Sequence, residues 1–303
     1  MDRFGVIDLG TNTFHLLIAE PDAQGAFREL YRERHFIKLA EEGIAKIGAA
    51  AFERGLRTMQ AFRKILDQYQ VNTVKAVGTA ALRTASNGKD FIQQVKALTS
   101  IEVTLITGDR EAELIHTGVM LAIPPTQERM LIMDIGGGSV EFIIADCKQV
   151  YWAQSFPVGV AVLWKNFHKS DPIIPTEIEA VHHFLSQYLK PLYNALQQHP
   201  TPILVGASGT FDVLENILVK DKTHPHHSHL AVSAFPPFYQ QMLHTTLVER
   251  LHMEGMPADR ADMIIVALIL IDHILQLIDF QKITISAFAM KEGILYEMMT
   301  SES

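Results

Sequence analysis

Apolar and polar positions change rhythm several times along this chain. Phe4-Gly5-Val6-Ile7 is a short apolar run that stops at Asp8. Leu9-Gly10-Thr11-Asn12-Thr13 is turn chemistry. A second apolar run covers residues 14–19, and a mixed, strand-like stretch covers 27–38. Together they predict a three-stranded meander. From residue 49 to 69 the period lengthens, and Leu56, Met59, Phe62, Ile65 and Leu66 fall on one helical face. Strands are predicted at 74–77 and 103–106, helices at 91–98 and 110–122. A meander followed by strand–helix alternation is an α/β pattern.

Ile123-Pro124-Pro125-Thr126 ends that stretch, because proline cannot continue a helix. The opening pattern then recurs. Leu131-Ile132-Met133 stops at Asp134, Ile135-Gly136-Gly137-Gly138-Ser139 is the turn, and residues 140–145 form the returning strand. Asp8 and Asp134 are 126 residues apart. This reads as an internal duplication, with one domain at 1–123 and a second at 124–303, the last helix being free to pack back on the first. The second half predicts a helix after Pro175, capped by Thr176 and Glu179. It also predicts a strand at 203–205 entering Gly206-Ala207-Ser208-Gly209-Thr210, a long helix at 259–278, a strand at 283–286 and a final helix at 290–299.

Composition narrows the class. With 303 residues, 48% hydrophobic and 20% charged, the chain is neither disordered nor fibrous. The single cysteine, Cys147, excludes an intrachain disulfide and favours a reducing, cytoplasmic setting. No secretory signal is visible, and the longest apolar run, 263–271, is too short to span a bilayer. The net charge is −8, which argues against nucleic acid as a partner. Residues 1–122 carry 15 basic and 15 acidic side chains, residues 123–303 carry 11 and 19. An anionic ligand meets less repulsion on the first half.

The two strand–Asp–x–Gly hairpins are the main chemical signal. Glycine lets backbone N–H groups approach an anion closely, and successive N–H groups form an anion-binding nest. Aspartate at a strand end can hold a hydrated Mg²⁺ that meets a phosphate. Thr11, Asn12, Thr13 and Ser139 add side-chain donors. Either hairpin alone also reads as a tight turn without a ligand. The pair, with the third glycine turn at Ser208-Gly209-Thr210, favours phosphate. Glu111 stands in the first turn of a helix, where the helix dipole alone accounts for an acidic residue. Arg83 reads equally as a surface residue at a helix start. His224-Pro225-His226-His227-Ser228-His229 lacks zinc-site spacing and reads as a solvated loop. Asp272 and His273 read as an internally satisfied polar pair or a groove-facing edge, with no role assigned.

The segments from Asp8 to His15 and from Asp134 to Glu141 resemble the two phosphate motifs of the exopolyphosphatase / guanosine pentaphosphate phosphohydrolase (Ppx/GppA) family, within the actin-like superfamily. Further matches follow in family order: residues 78–83, 107–115, 206–210 and 291–296. Thr11 and Thr13 stand where serines are usual, Val140 where threonine is common, and Arg110 where an acidic residue often precedes the catalytic glutamate. The resemblance implies two actin-like (ribonuclease H-like) α/β domains with an inter-domain cleft, in the short two-domain form. It implies Glu111 as catalytic base and Asp134 and Glu141 as ligands for Mg²⁺ or Mn²⁺, with Asp8 as a further carboxylate. Gly10, Thr11, Asn12, Thr13, Arg83, Gly136, Gly137, Gly138, Ser139, Ser208, Gly209 and Thr210 then hold phosphates. The implied activity is metal-dependent release of orthophosphate from the end of inorganic polyphosphate. Guanosine pentaphosphate is the alternative substrate, and a non-catalytic polyphosphate or alarmone sensor is the alternative of another class. No membrane partner is expected, and a homodimer is left open.

Overall fold

The computed structural model describes residues 2–22 and 27–301. Two compact units divide it: Met1–Gly118 with Met290–Ser303, and Val119–Ala289.

The first unit opens with the predicted meander, β1 (Phe4–Leu9), β2 (Thr13–Pro21) and β3 (Phe27–Phe36). Then come α1 (Ala49–Gln68), β4 (Thr73–Gly78), α2 (Ala80–Thr84), α3 (Gly88–Thr99), β5 (Val103–Leu105) and α4 (Gly108–Ala122). The sheet order is β3-β2-β1-β4-β5, with β1–β2 antiparallel and β1–β4 parallel. Helix α1 buries Met59, Phe62 and Leu66, as its period requires. Phe91 of α3 packs edge-on against Phe14 of β2 and Phe52 of α1. Each large apolar side chain so buried contributes roughly 1.5–3 kcal/mol.

The second unit holds β6 (Met130–Ile135), β7 (Val140–Ala145), β8 (Val150–Phe156), α5 (Val160–Phe167), α6 (Pro175–Tyr188), α7 (Lys190–Gln198), β9 (Ile203–Ala207) and α8 (Gly209–Leu218). It continues with β10 (His227–Leu230), α9 (Phe235–Leu243), α10 (Leu247–Leu251), α11 (Ile264–Leu275) and β11 (Lys282–Ser286). Its sheet order is β10-β11-β9-β6-β7-β8. Here β6, β7, β8 and β9 repeat the roles of β1, β2, β3 and β4. The repeat reaches single residues. Register shifts fall at Ile18/Ala19 and at Ile144/Ala145, again 126 residues apart.

Helix α12 (Met290–Ser301) belongs to the first unit. Glu292, fully buried, meets Arg32 of β3 at 2.9 Å. At Gly293, α12 lies so close to α4 that a methyl group would sit 2.0 Å from the Leu114 carbonyl oxygen.

Several local expectations shift. The two units part after Gly118, inside α4, whereas the sequence pattern places the boundary at the prolines after residue 123. The cap of α6 is Glu177, not Glu179: with Pro175 in the first turn, the Glu177 carboxylate reaches the N–H groups of Lys169, Ser170 and Ile174. Residues 259–263 form turns, so the apolar helix starts at Ile264. The histidine run is only partly a loop. His227 and His229 lie on β10, paired with β11, and buried His227 places Nδ1 2.9 Å from the Ala122 carbonyl.

Candidate active site

Each hairpin is built the same way. The Gly10 N–H donates to the Thr13 carbonyl at 3.0 Å, and the Gly136 N–H donates to the Ser139 carbonyl at 3.0 Å. A methyl on either glycine would lie 2.9 or 3.0 Å from that same carbonyl oxygen, so turn closure itself demands glycine. Thr11, Asn12, Thr13 and Ser139 are all buried.

The strand ends differ between the repeats. Asp8 pairs across its hairpin with His15, and Asp134 pairs with Glu141. Directly opposed residues share a sheet face with Cβ atoms about 4.5–5.5 Å apart. Asp134 and Glu141 are 7% and 2% exposed, so two carboxylates stand side by side away from water. Like charges so placed repel unless a cation or proton joins them. Ser155 of β8 donates to Glu141 Oε1 at 2.6 Å and fixes its rotation. These hard oxygen donors fit Mg²⁺, which takes one or two carboxylates and completes its shell with water and phosphate oxygens. Among the described residues no group of three or more His, Cys, Asp or Glu side chains is placed to hold a metal ion.

Glu111 lies in the first turn of α4, where its N–H donates to the Thr107 carbonyl at 2.9 Å. The Thr107 hydroxyl accepts the Arg110 N–H at 3.2 Å, which caps the helix. A carboxylate here gains from the helix dipole. Arg83 of α2 donates to the Ile106 carbonyl at 2.5 Å and lies 3.3 Å from Glu111 Oε2. Arg110, the departure from the family pattern, is paired with Glu113 at 2.8 Å and with Glu297 of α12. Its charge is therefore matched by acidic neighbours.

The third turn joins β9 to α8. Ser208 has φ 69° and ψ 178°, a region nearly reserved for glycine and one that costs roughly 1–3 kcal/mol. Its carbonyl accepts the N–H groups of Phe211 at 3.0 Å and Asp212 at 3.3 Å. Arg260 was not singled out from sequence. Its guanidinium lies against Gly209, where a methyl group would sit 2.0 Å from Nη2. Ser155 also went unread, because only strand register brings it to Glu141.

The Ppx/GppA phosphatase family matches residues 17–302. The chain belongs to this family. It is therefore a phosphohydrolase, and a purely non-catalytic sensor is set aside. A crystallographically solved exopolyphosphatase from Cytophaga hutchinsonii is similar over 99% of this chain and 98% of that one, with 39% identity and a TM-score of 0.94. The Ppx/GppA family member from Aquifex aeolicus shares the fold at 23% identity and a TM-score of 0.82, covering 100% of this chain and 99% of that one. The α/β class and the two repeated sheet units of this phosphatase thus stand as read from its sequence. Among the described residues no helix is long and apolar enough to cross a membrane.

Proposed function

We propose that this phosphatase releases orthophosphate from the end of inorganic polyphosphate with the help of a divalent cation. The observation that carries the substrate is the 39% identity, over nearly the whole chain, to an exopolyphosphatase. Guanosine pentaphosphate, the other substrate the family name covers, offers the same terminal phosphoanhydride.

Asp134 and Glu141 would hold the cation, Mg²⁺ or Mn²⁺, with Asp8 a further candidate carboxylate. When bound, the cation supplies charge neutralisation at the phosphate oxygens. The hairpin backbones at 10–13 and 136–139 bind phosphate oxygens through N–H groups, and the turn at 208–210 adds another anchor. Glu111 accepts the proton of the water that attacks the terminal phosphorus. Arg83 holds Glu111 in place and presents its remaining N–H groups to phosphate. A reducing, cytoplasmic setting suits the exposed, unpaired Cys147.

The test is phosphate release from polyphosphate and from guanosine pentaphosphate side by side, with Mg²⁺ and with excess EDTA. Faster release from polyphosphate, abolished by EDTA, is expected. Faster release from guanosine pentaphosphate would move the assignment to that substrate.

A further inference from the structure

Every carbonyl of the second hairpin turn has a partner. The Gly136 carbonyl accepts the Val160 N–H at 3.0 Å, the Gly137 carbonyl the Ala161 N–H at 2.9 Å, and the Gly138 carbonyl the Gly159 N–H at 3.3 Å. The Ser139 carbonyl accepts the Gly136 N–H. A trans peptide points its C=O and N–H in opposite directions. Tying the three glycine carbonyls to residues 159–161 therefore turns the N–H groups of Gly137, Gly138 and Ser139 the other way. Gly138 and Ser139 are buried, and among the described residues no protein acceptor meets these three N–H groups. Buried N–H groups without a partner are rare, so the two in succession at Gly138 and Ser139, beside that of half-buried Gly137, point to an anion.

The clamp requires a bare backbone. A methyl at Gly159 would lie 2.4 Å from the Gly137 oxygen and 2.6 Å from the Gly138 carbonyl carbon. The first repeat has the same device made of different residues. There Ile37 and Lys38 donate to the Asn12 carbonyl at 2.8 and 3.0 Å, and Leu39 donates to the Thr11 carbonyl at 2.8 Å. In both repeats the segment leaving the third meander strand grips the turn from its carbonyl side.

We infer that the 159–161 segment is the positioning element of the second phosphate turn: its N–H groups and the missing side chain of Gly159 aim the N–H groups of Gly137, Gly138 and Ser139 at a phosphate. The inference rests on reading that turn as phosphate-binding. It concerns how the turn is held, not which substrate is cut.

Val160 is the first residue of α5, a position that favours proline, and Gly159 at φ −64° and ψ 165° already has the backbone that precedes proline. Val160→Pro thus removes one clamping N–H with little disturbance to the helix, and Val160→Ala is the reference that keeps it. Two readouts are taken on the full chain: turnover on polyphosphate, and the amide ¹H–¹⁵N signals of Gly137, Gly138 and Ser139 on addition of inorganic phosphate. Val160→Pro is expected to turn over about 10²-fold more slowly than Val160→Ala at a similar thermal midpoint. Phosphate is expected to move the three amide signals in wild type and in Val160→Ala but not in Val160→Pro. Equal turnover of the two variants, or slow turnover with the phosphate response intact, overturns the inference. So do wild-type amides that ignore phosphate while the enzyme hydrolyses polyphosphate. Wild-type amides that respond in an enzyme inactive on polyphosphate sink the substrate reading alone. If Val160→Pro does not fold, Gly159→Ala, whose added methyl would meet the Gly137 oxygen at 2.4 Å, takes its place under the same two readouts and the same outcomes.

Discussion

The Arg83 guanidinium lies 3.3 Å from Glu111 Oε2 while donating to the Ile106 carbonyl. A single nitrogen, Nη1, thus links the end of α2, the segment before α4 and the proposed base. A lysine keeps the charge but loses the remaining guanidinium N–H groups proposed to meet phosphate. Glu111→Gln keeps size and removes basicity, so kcat is expected to fall about 10²–10⁴-fold with little change in KM. Arg83→Lys should cause a smaller loss in kcat. Near-normal turnover of Glu111→Gln in a phosphate-release assay would dismiss Glu111 as the base.

Ser155 offers a gentler probe of the carboxylate pair than replacing one of the proposed metal ligands. Its hydroxyl donates to Glu141 Oε1 and fixes that carboxylate. Groups that orient metal ligands are typically worth about 10–100-fold in metal affinity. Ser155→Ala should therefore raise the Mg²⁺ concentration needed for half-maximal activity by about that factor, and excess Mg²⁺ should restore turnover. An unchanged Mg²⁺ titration would separate Glu141 from the metal.

The polar cluster inside the second unit predicts a pH dependence of stability. His273 Nδ1 lies 3.0 Å from His182 Nδ1, and its Nε2 lies 2.6 Å from the Tyr193 hydroxyl. Asp272 and Tyr239 complete the surroundings. Burial, helped by the charge of His182, pushes His273 down to about 4. An unfolded imidazole titrates near 6.5. Between those values the unfolded chain binds a proton that the folded chain refuses, so stability is complete above about 6.5 and drains away as pH falls toward 4. The loss from pH 7 to 4.5 is about 2 kcal/mol for this group. Burial shifts His182 downward in the same sense and Asp272 upward, which opposes the loss at the acid end. Denaturant midpoints across this range should show a shallower slope for His273→Leu than for wild type. Equal slopes would remove His273 from the account.

Gly293 sets helix propensity against packing. In an open helix, alanine for glycine stabilises by about 1 kcal/mol. Here the added methyl meets the Leu114 backbone oxygen at 2.0 Å, and crowding of a packed site costs about 1–3 kcal/mol or more. Backbone cannot rotate aside as a side chain can, so packing wins. Gly293→Ala should lower Tm by several degrees, at about 2–4 °C per kcal/mol for a domain of 150–250 residues. A raised Tm in calorimetry would refute the close contact.

The parts of this protein legible in its sequence are those written locally. Asp8-Leu9-Gly10 and Asp134-Ile135-Gly136 announce their hairpins because glycine and strand-end aspartate act within a few residues of themselves. Gly159 carries no such mark. Its meaning appears only when β8 returns beside the turn at 136–139. Ser155 depends likewise on register, and Arg260 on the path of the chain ahead of α11. Spacing counted from Thr176 points to Glu179, whereas the chain enters α6 at Pro175 and the capping carboxylate is Glu177. The histidines at 227 and 229 hid a short strand, since polar residues at an edge resemble a loop until β11 pairs with them.

Helix α12 has a consequence for how the chain acquires its structure during synthesis. The first unit lacks the helix that covers β1 and β2 and places Glu292 against Arg32 until residues 290–301 are made. The second unit is a single unbroken stretch and emerges whole before them. At about 5–20 residues per second, the roughly 170 residues between the two parts of the first unit take about 10–30 s to translate. The half that is made first is thus the half that finishes last, and α4, which carries Glu111, reaches its final packing only when the chain is nearly complete.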